Sequence, residues 1–343
     1  MRVLVFLVIG QTQGAKTGSK KKCLGYLSKA HLVQVNKIYC RSNVMSNRRL
    51  KIAACQLLNS DDISNNAMRV CQYIEDCAEQ GVALVAFPEG VLYGYCCRTD
   101  FWEKMTPEVF RDAEAQVAET CARLNIAAVV GTAFREGGKW LNGLAAFDRD
   151  GRMVGRYGKT FLGGDTWCDN YKGKIPVVEI AGVKACFAIC RDIRYPEIVR
   201  LPAILGAQIL IFCTCESGLT AEYKLSAYRA MPIARAAENE IYVLMANAPA
   251  NPDNIRSTES SHGNSKIIDP FGNVVVEAGY FDERAVVAEV DFALATRRVA
   301  TRVLKEPTIL QNWYHQGLQY VDEIAPKAEP NGIVELNTTR KPR

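Results

Sequence analysis

A cysteine, a glutamate and a lysine, each closing an apolar run, are the side chains whose positions suit covalent chemistry. Cys190 ends "VKACFAIC" and is followed at once by the polar "RDIR". A thiol at such a turn can meet a reactant, and the next backbone N–H groups, of Arg191 and Asp192, are left unpaired by the sheet and suit an oxyanion. A cysteine taken alone is ordinarily a small buried residue, which is how Cys186 reads. An unassisted thiol has a pKa of about 8.5, so about 3% is thiolate at neutral pH, and attack needs a base or a nearby cation.

Histidine is the usual base, and the chain has only three against thirteen cysteines. His31 lies in a basic N-terminal stretch, His262 in the polar loop "STESSHGNS" and His315 in "QNWYHQG"; none has neighbours that support a Cys-His pair. A carboxylate is the alternative. Glu89 ends "VALVAFPE", where Pro88 stops ladder pairing, and desolvation there would raise its pKa until it could take a thiol proton near neutral pH. Lys159 follows in "GRYGKTFL"; beside the nucleophile it would stabilise a thiolate and then a tetrahedral oxyanion. Singly, a strand-end acid and a strand-edge lysine are ordinarily solvated surface groups.

The elements that must hold these residues are legible in the hydrophobic pattern. "LKIAACQL" (50–57) is a strand, 62–80 a helix, "VALVAFPE" (82–89) a buried strand, 107–125 a helix and "IAAVVGTAF" (126–134) a strand, an order that argues for crossover units. A hairpin follows, turning at Asp150-Gly151. "IPVVEIAGVKACFAIC" holds two strands turning at Ala181-Gly182, and Pro196 opens a helix that runs to Gly206. "QILIFC" is a strand, 222–239 a helix disturbed at Pro232, and "IYVLMAN" a strand. A second hairpin turns at Gly272-Asn273, and "RAVVAEVD" closes the core. Helices with mixed strands predict sheets packed on each other with helices outside.

The 343 residues, 48% apolar and 23% charged, are enough to bury a full core. The net charge of +5 is carried by residues 1–49, which hold Lys and Arg but no Asp or Glu; the remainder is mildly acidic and offers no nucleic-acid surface. That first segment reads as a disordered arm or as sequence ahead of a start at Met45, with an organellar targeting peptide as the third reading. Its "GQTQGAKT" has the outline of a phosphate-binding loop but places Ala15 where that loop requires glycine. The odd, irregularly spaced cysteines predict free thiols and a reducing, cytoplasmic compartment. No run approaches the roughly 18 apolar residues that span a bilayer, and "MRVLVFLVIG" is short for a signal-peptide core.

Taken together, "AACQ", "FPEGVLYGY" around Glu89, "RYGKTFL" around Lys159, "CRDIRYPEIVR" around Cys190, "ARAAENEIYVLMAN" and "HGNSKIIDPFGNVV" resemble the carbon-nitrogen hydrolases of the nitrilase superfamily, closest to the amidase and N-carbamoyl amidohydrolase branches. The likeness covers residues 50–291, leaving 1–49 as an extension and 292–343 as a C-terminal helix and arm, ordered at least to Val321 and mobile over "TTRKPR". It implies an α/β four-layer αββα sandwich, commonly a homodimer, with no metal or organic cofactor. It also implies Glu89 as base, Cys190 as nucleophile, and Lys159 with the Arg191 N–H as oxyanion support. The reaction implied is hydrolysis of a small amide or N-carbamoyl compound through a cysteine thioester. A nitrilase and a catalytically silent small-molecule-binding member are the alternatives.

Two departures from the family pattern bear on the substrate. Phe161 stands where many members have histidine, and "GGDTWCDNYKG" lacks the second glutamate that many carry between lysine and cysteine. Asp169 is the nearest conservative substitute and Asp165 the next. Arg194 either clamps a substrate carboxylate or pairs with Glu197 or Asp192 to stiffen the turn. Tyr93, Tyr95, Trp167 and Tyr171 line an apolar pocket or are core or dimer-contact residues.

Overall fold

The computed structural model describes residues 49–58, 60–171, 175–216, 222–253, 261–302 and 315–319. The N-terminal extension with its "GQTQGAKT" stretch, and the C-terminal arm apart from a helical turn over 315–319, lie outside the described residues.

The order along the chain is β1 (Arg49–Gln56), α1 (Ile63–Glu79), β2 (Leu84–Ala86), α2 (Thr99–Lys104), α3 (Pro107–Leu124), β3 (Ala127–Glu136), β4 (Lys139–Phe147) and β5 (Met153–Gly158). There follow β6 (Val178–Ile180), β7 (Val183–Ile189), a 3-10 turn (Cys190–Arg194), α4 (Glu197–Leu205), β8 (Ile209–Thr214), α5 (Glu222–Asn239) and β9 (Tyr242–Asn247). The last elements are β10 (Lys266–Ile268), β11 (Val274–Glu277), β12 (Arg284–Asp291) and α6 (Arg298–Arg302).

Local chemistry sets the helix ends. Asp62 caps α1 by accepting the Asn65 N–H at 3.0 Å. Pro107 starts α3, and Asn125 ends it in the left-handed region at φ 53°. α5 runs as one helix from Glu222 to Asn239 with Pro232 inside it. A proline removes one intrahelical bond, and here the packing of Met231, Ile233 and Ala236 in the cluster against the second sheet carries the helix through it.

The strands form two six-stranded mixed sheets, ordered β12-β1-β2-β3-β4-β5 and β11-β10-β9-β8-β7-β6. Within the first, β1, β2 and β3 are parallel; within the second, β7, β8 and β9 are parallel. Alternation along each strand divides the core. Ile52, Ala54, Leu84 and Val129 face Ile209, Ile211 and Leu244 between the sheets. Ala53, Val85 and Ala128 face outward onto Val70 and Ile74 of α1 and Val117 of α3, and Leu210 and Val243 onto Val199 of α4 and Ala236 of α5. The result is a four-layer α-β-β-α stack. Phe292, Ala295 and Ala300 are buried in it, so the packed unit extends past Asp291, where the hydrophobic strand pattern ends.

Among the described residues no helix is long and apolar enough to cross a membrane, and every described cysteine is a free thiol.

Candidate active site

Parallel strands aim the ends of β2, β7 and β8 into the interface between the sheets, and open α/β sheets place reactive groups at such carboxyl ends. Glu89 follows β2, Cys190 follows β7 and Lys159 follows β5. Glu89 and Lys159 are 0% exposed, and the Lys159 Nζ donates to Glu89 Oε1 at 2.8 Å. Glu89 is fixed from two further sides: the Asn142 side chain on β4 donates to Oε1 at 2.8 Å, and the Cys215 backbone N–H donates to Oε2 at 2.9 Å. Burial raises the Glu89 pKa, opposed by its contacts with Lys159 and Asn142.

The 3-10 turn puts Cys190 at φ 47°, a left-handed backbone that few non-glycine residues adopt. The strain turns the side chain out of the β7 ladder, and Arg191 becomes the second residue of a turn whose first N–H groups lack intrahelical partners. Cys190 is 8% exposed. Burial pushes its thiol well up, the charges of Glu216 and Glu89 add to that, and Lys159 works against it. The resting group is therefore a thiol, and it needs a base at the moment of attack. For Lys159, burial disfavours the charge, but the surrounding negative charges, those of Glu89 and Asp165 in the resting site and that of Cys190 once it ionises, hold the ammonium well above the ordinary lysine value.

Asp192 ties the cysteine turn to the lysine segment. Its carboxylate accepts from the Tyr157 hydroxyl at 2.7 Å, the Phe161 N–H at 2.8 Å and the Ile189 N–H at 3.1 Å. Burial pushes it up to about 6. Phe161, two residues after the lysine, stacks on Tyr195 with ring centroids 3.6 Å apart.

The remaining sequence-predicted residues divide. Asp165, not Asp169, meets the lysine: its Oδ2 accepts from Lys159 Nζ at 2.9 Å, and its Oδ1 accepts from the Tyr95 hydroxyl at 3.0 Å. Asp169 turns the other way and pairs with Lys139 at the surface. The loop from Lys159 returns toward the ammonium after six residues, whereas four more carry it past. Tyr95 thus belongs to the cluster, its ring centroid 5.7 Å from Lys159 Nζ. Trp167 stacks on Trp102 at 3.6 Å in an aromatic group with Tyr93, and Tyr171 packs edge-on to Tyr157, so these three are core. Arg194 pairs with neither Glu197 nor Asp192; it donates to the Tyr228 hydroxyl at 3.1 Å. The Arg191 guanidinium donates to the Leu162 carbonyl at 3.1 Å. His262 is buried beside the Tyr228 ring, centroids 6.1 Å apart.

Two residues of the cluster escape sequence reasoning. Asn142 is a polar side chain inside the apolar strand "KWLNGLAAF", and that interruption is its signal. Glu216 follows "ILIFCTC" as Glu89 follows "VALVAF", an acid just past a buried parallel strand. It is 2% exposed, and burial pushes it up to about 7.

The segment carrying Glu89 rests on Gly131 of β3. A Cβ there would lie 2.2 Å from the Pro88 carbonyl oxygen and 2.4 Å from the Gly90 nitrogen, both backbone atoms that cannot rotate away. Gly131→Ala is expected to cost about 1–3 kcal/mol by overpacking. Chemical denaturation checks it; an unchanged midpoint would mean the segment yields freely.

Residues 51–298 match the carbon-nitrogen hydrolase family. Omega-amidase NIT2-A of Xenopus laevis is 28% identical over 259 residues, 71% of this chain and 89% of that protein. The 2-oxoglutaramate amidase of Bacillus subtilis (strain 168) is 31% identical over 203 residues, 55% of this chain and 71% of that protein. Among solved structures, a mutant of the Nesterenkonia AN1 amidase, from the nitrilase superfamily, superposes with a TM-score of 0.65 at 21% identity, over 75% of this chain and 96% of that one.

Proposed function

The chain belongs to the carbon-nitrogen hydrolase family, of the nitrilase superfamily, and from that premise we propose that it hydrolyses small linear amides through a thioester on Cys190. The observation that carries this reading is the buried Glu89–Lys159 contact at 2.8 Å, with both charges acting on the Cys190 thiol. The names of the relatives, omega-amidase and 2-oxoglutaramate amidase, support an amide as substrate.

The geometry supports the following steps. Glu89 takes the thiol proton as Sγ attacks the carbonyl carbon. The oxyanion that forms is met by the Lys159 ammonium and the Arg191 N–H, charges already in place in a site shielded from water. As the carbon–nitrogen bond breaks, Glu89 returns the proton to the leaving amine or ammonia. Glu89 then takes a proton from water, whose oxygen adds to the thioester; the acid leaves and the thiol is restored. Asn142 and the Cys215 N–H hold the carboxyl in one orientation through both halves. Asp165 steadies the ammonium from its other side.

The test is ammonia release by the full chain from short aliphatic amides, dicarboxylate monoamides, N-carbamoyl amino acids and nitriles, with acid-quenched intact mass. The expected result is ammonia from amides and an acyl adduct that maps to Cys190. Release from nitriles alone, or turnover with no adduct under any quench, would overturn the reading.

A further inference from the structure

The buried acids of the site are not equivalent. Glu89 and Asp165 both bond the Lys159 ammonium, so their charge is matched in place. The Glu216 carboxyl instead takes two hydroxyl donors, Thr214 Oγ1 at 3.0 Å and the Tyr228 hydroxyl. Among the described residues no ion pair reaches it. A carboxylate offers about four acceptor positions, so two hydroxyls leave capacity for another donor.

Its location makes that capacity relevant. β7 and β8 are parallel neighbours with Ile189 level with Cys213, which puts the residues after each strand, Cys190 and Glu216, at the same edge. The charges of Glu216 and Glu89 both act on the Cys190 thiol and disfavour its ionisation. The Cys215 N–H bond to Glu89 pins the same stretch against the base. Arg194 acts on the acid only at one remove: its exposed guanidinium donates to the Tyr228 hydroxyl, which stands between the two. Among the described residues, the buried charges that act on the thiol are those of Glu89, Asp165 and Glu216 against that of Lys159.

We infer that Glu216 is a specificity-determining residue of the acyl pocket, accepting a hydrogen bond from a cationic group at the far end of the substrate, so that ω-amino amides are preferred over dicarboxylate monoamides. The inference rests on the amide-hydrolase reading for the word substrate. A buried carboxylate without a counter-charge in direct contact is costly, and an arriving ammonium supplies one. At neutral pH Glu216 is part-ionised, and a bound cation draws it to the charged form. An anionic end group would instead meet a third buried acid. This reverses the role that the sequence offers Arg194 as a carboxylate clamp.

The test uses the full chain carrying Cys190→Ala, which binds without turnover, and calorimetry with three five-carbon amides: δ-aminovaleramide, valeramide and glutaramate. The expected order is cation tightest and anion weakest, with at least about a tenfold advantage of the cation over the neutral amide, the effect of one charge-assisted hydrogen bond. Adding Glu216→Gln removes that advantage and tightens glutaramate. Glutaramate binding tightest, the three binding alike, none binding, or an order indifferent to Glu216→Gln would each overturn the assignment. Because binding is read without chemistry, the expected order in a chain that hydrolyses no amide would sink the reaction and spare the assignment; the reverse result sinks the assignment alone.

Discussion

Lys159→Met is expected to lower kcat/KM for amide hydrolysis by at least about a hundredfold and to cost about 3–5 kcal/mol of stability. Methionine keeps the aliphatic bulk but removes the cation that both Glu89 and Asp165 contact, at 2.8 and 2.9 Å. Two like charges then share a site closed to water, and one must bind a proton. The sign of the pH effect follows. Burial already raises the folded pKa of Glu89 above its ordinary 4.5, and losing the lysine raises it further. A carboxyl raised on folding contributes stability below its unfolded pKa and loses it as pH rises through the folded value. The deficit of the variant should therefore widen as pH climbs above 4.5. Urea titrations at acid and neutral pH, with an ammonia assay, check both parts. A variant as stable and as active as the parent would remove the lysine from the mechanism.

Cys190→Ala is expected to reduce turnover by at least about a thousandfold while leaving the fold intact. Alanine keeps the Cβ and the left-handed backbone at φ 47°, so neither the strain nor the Asp192 bonds that hold the turn are altered. Only the sulfur is lost. Thermal unfolding should shift by a few degrees at most, and no acyl adduct should form. His262→Ala should still form one, because a carboxyl, not an imidazole, is the base. An adduct that vanishes with His262 and persists without Cys190 would overturn the assignment of the nucleophile.

The sequence by itself determined the elements and the residues at their ends. Alternation in "LKIAACQL", "VALVAFPE" and "IAAVVGTAF", and the turn chemistry of Gly151, Gly182 and Gly272, are local signals, and strands and hairpins form at each of them, although β2 is shorter than its signal, Leu84–Ala86 against 82–89. Placing Glu89, Lys159 and Cys190 at strand ends needed nothing more. Only the tertiary structure decided which side chains meet. Asp165 and Asp169 lie four residues apart in one loop, and nothing local tells which of them faces the ammonium. Trp167 belongs to an aromatic core because α2 brings Trp102 against it. Glu216 and Cys190 share one edge of the sheet because β7 and β8 pair in parallel register. Strand periodicity and turn preference act over a few residues, whereas partner choice depends on how two sheets stack, and that is set by the whole chain at once.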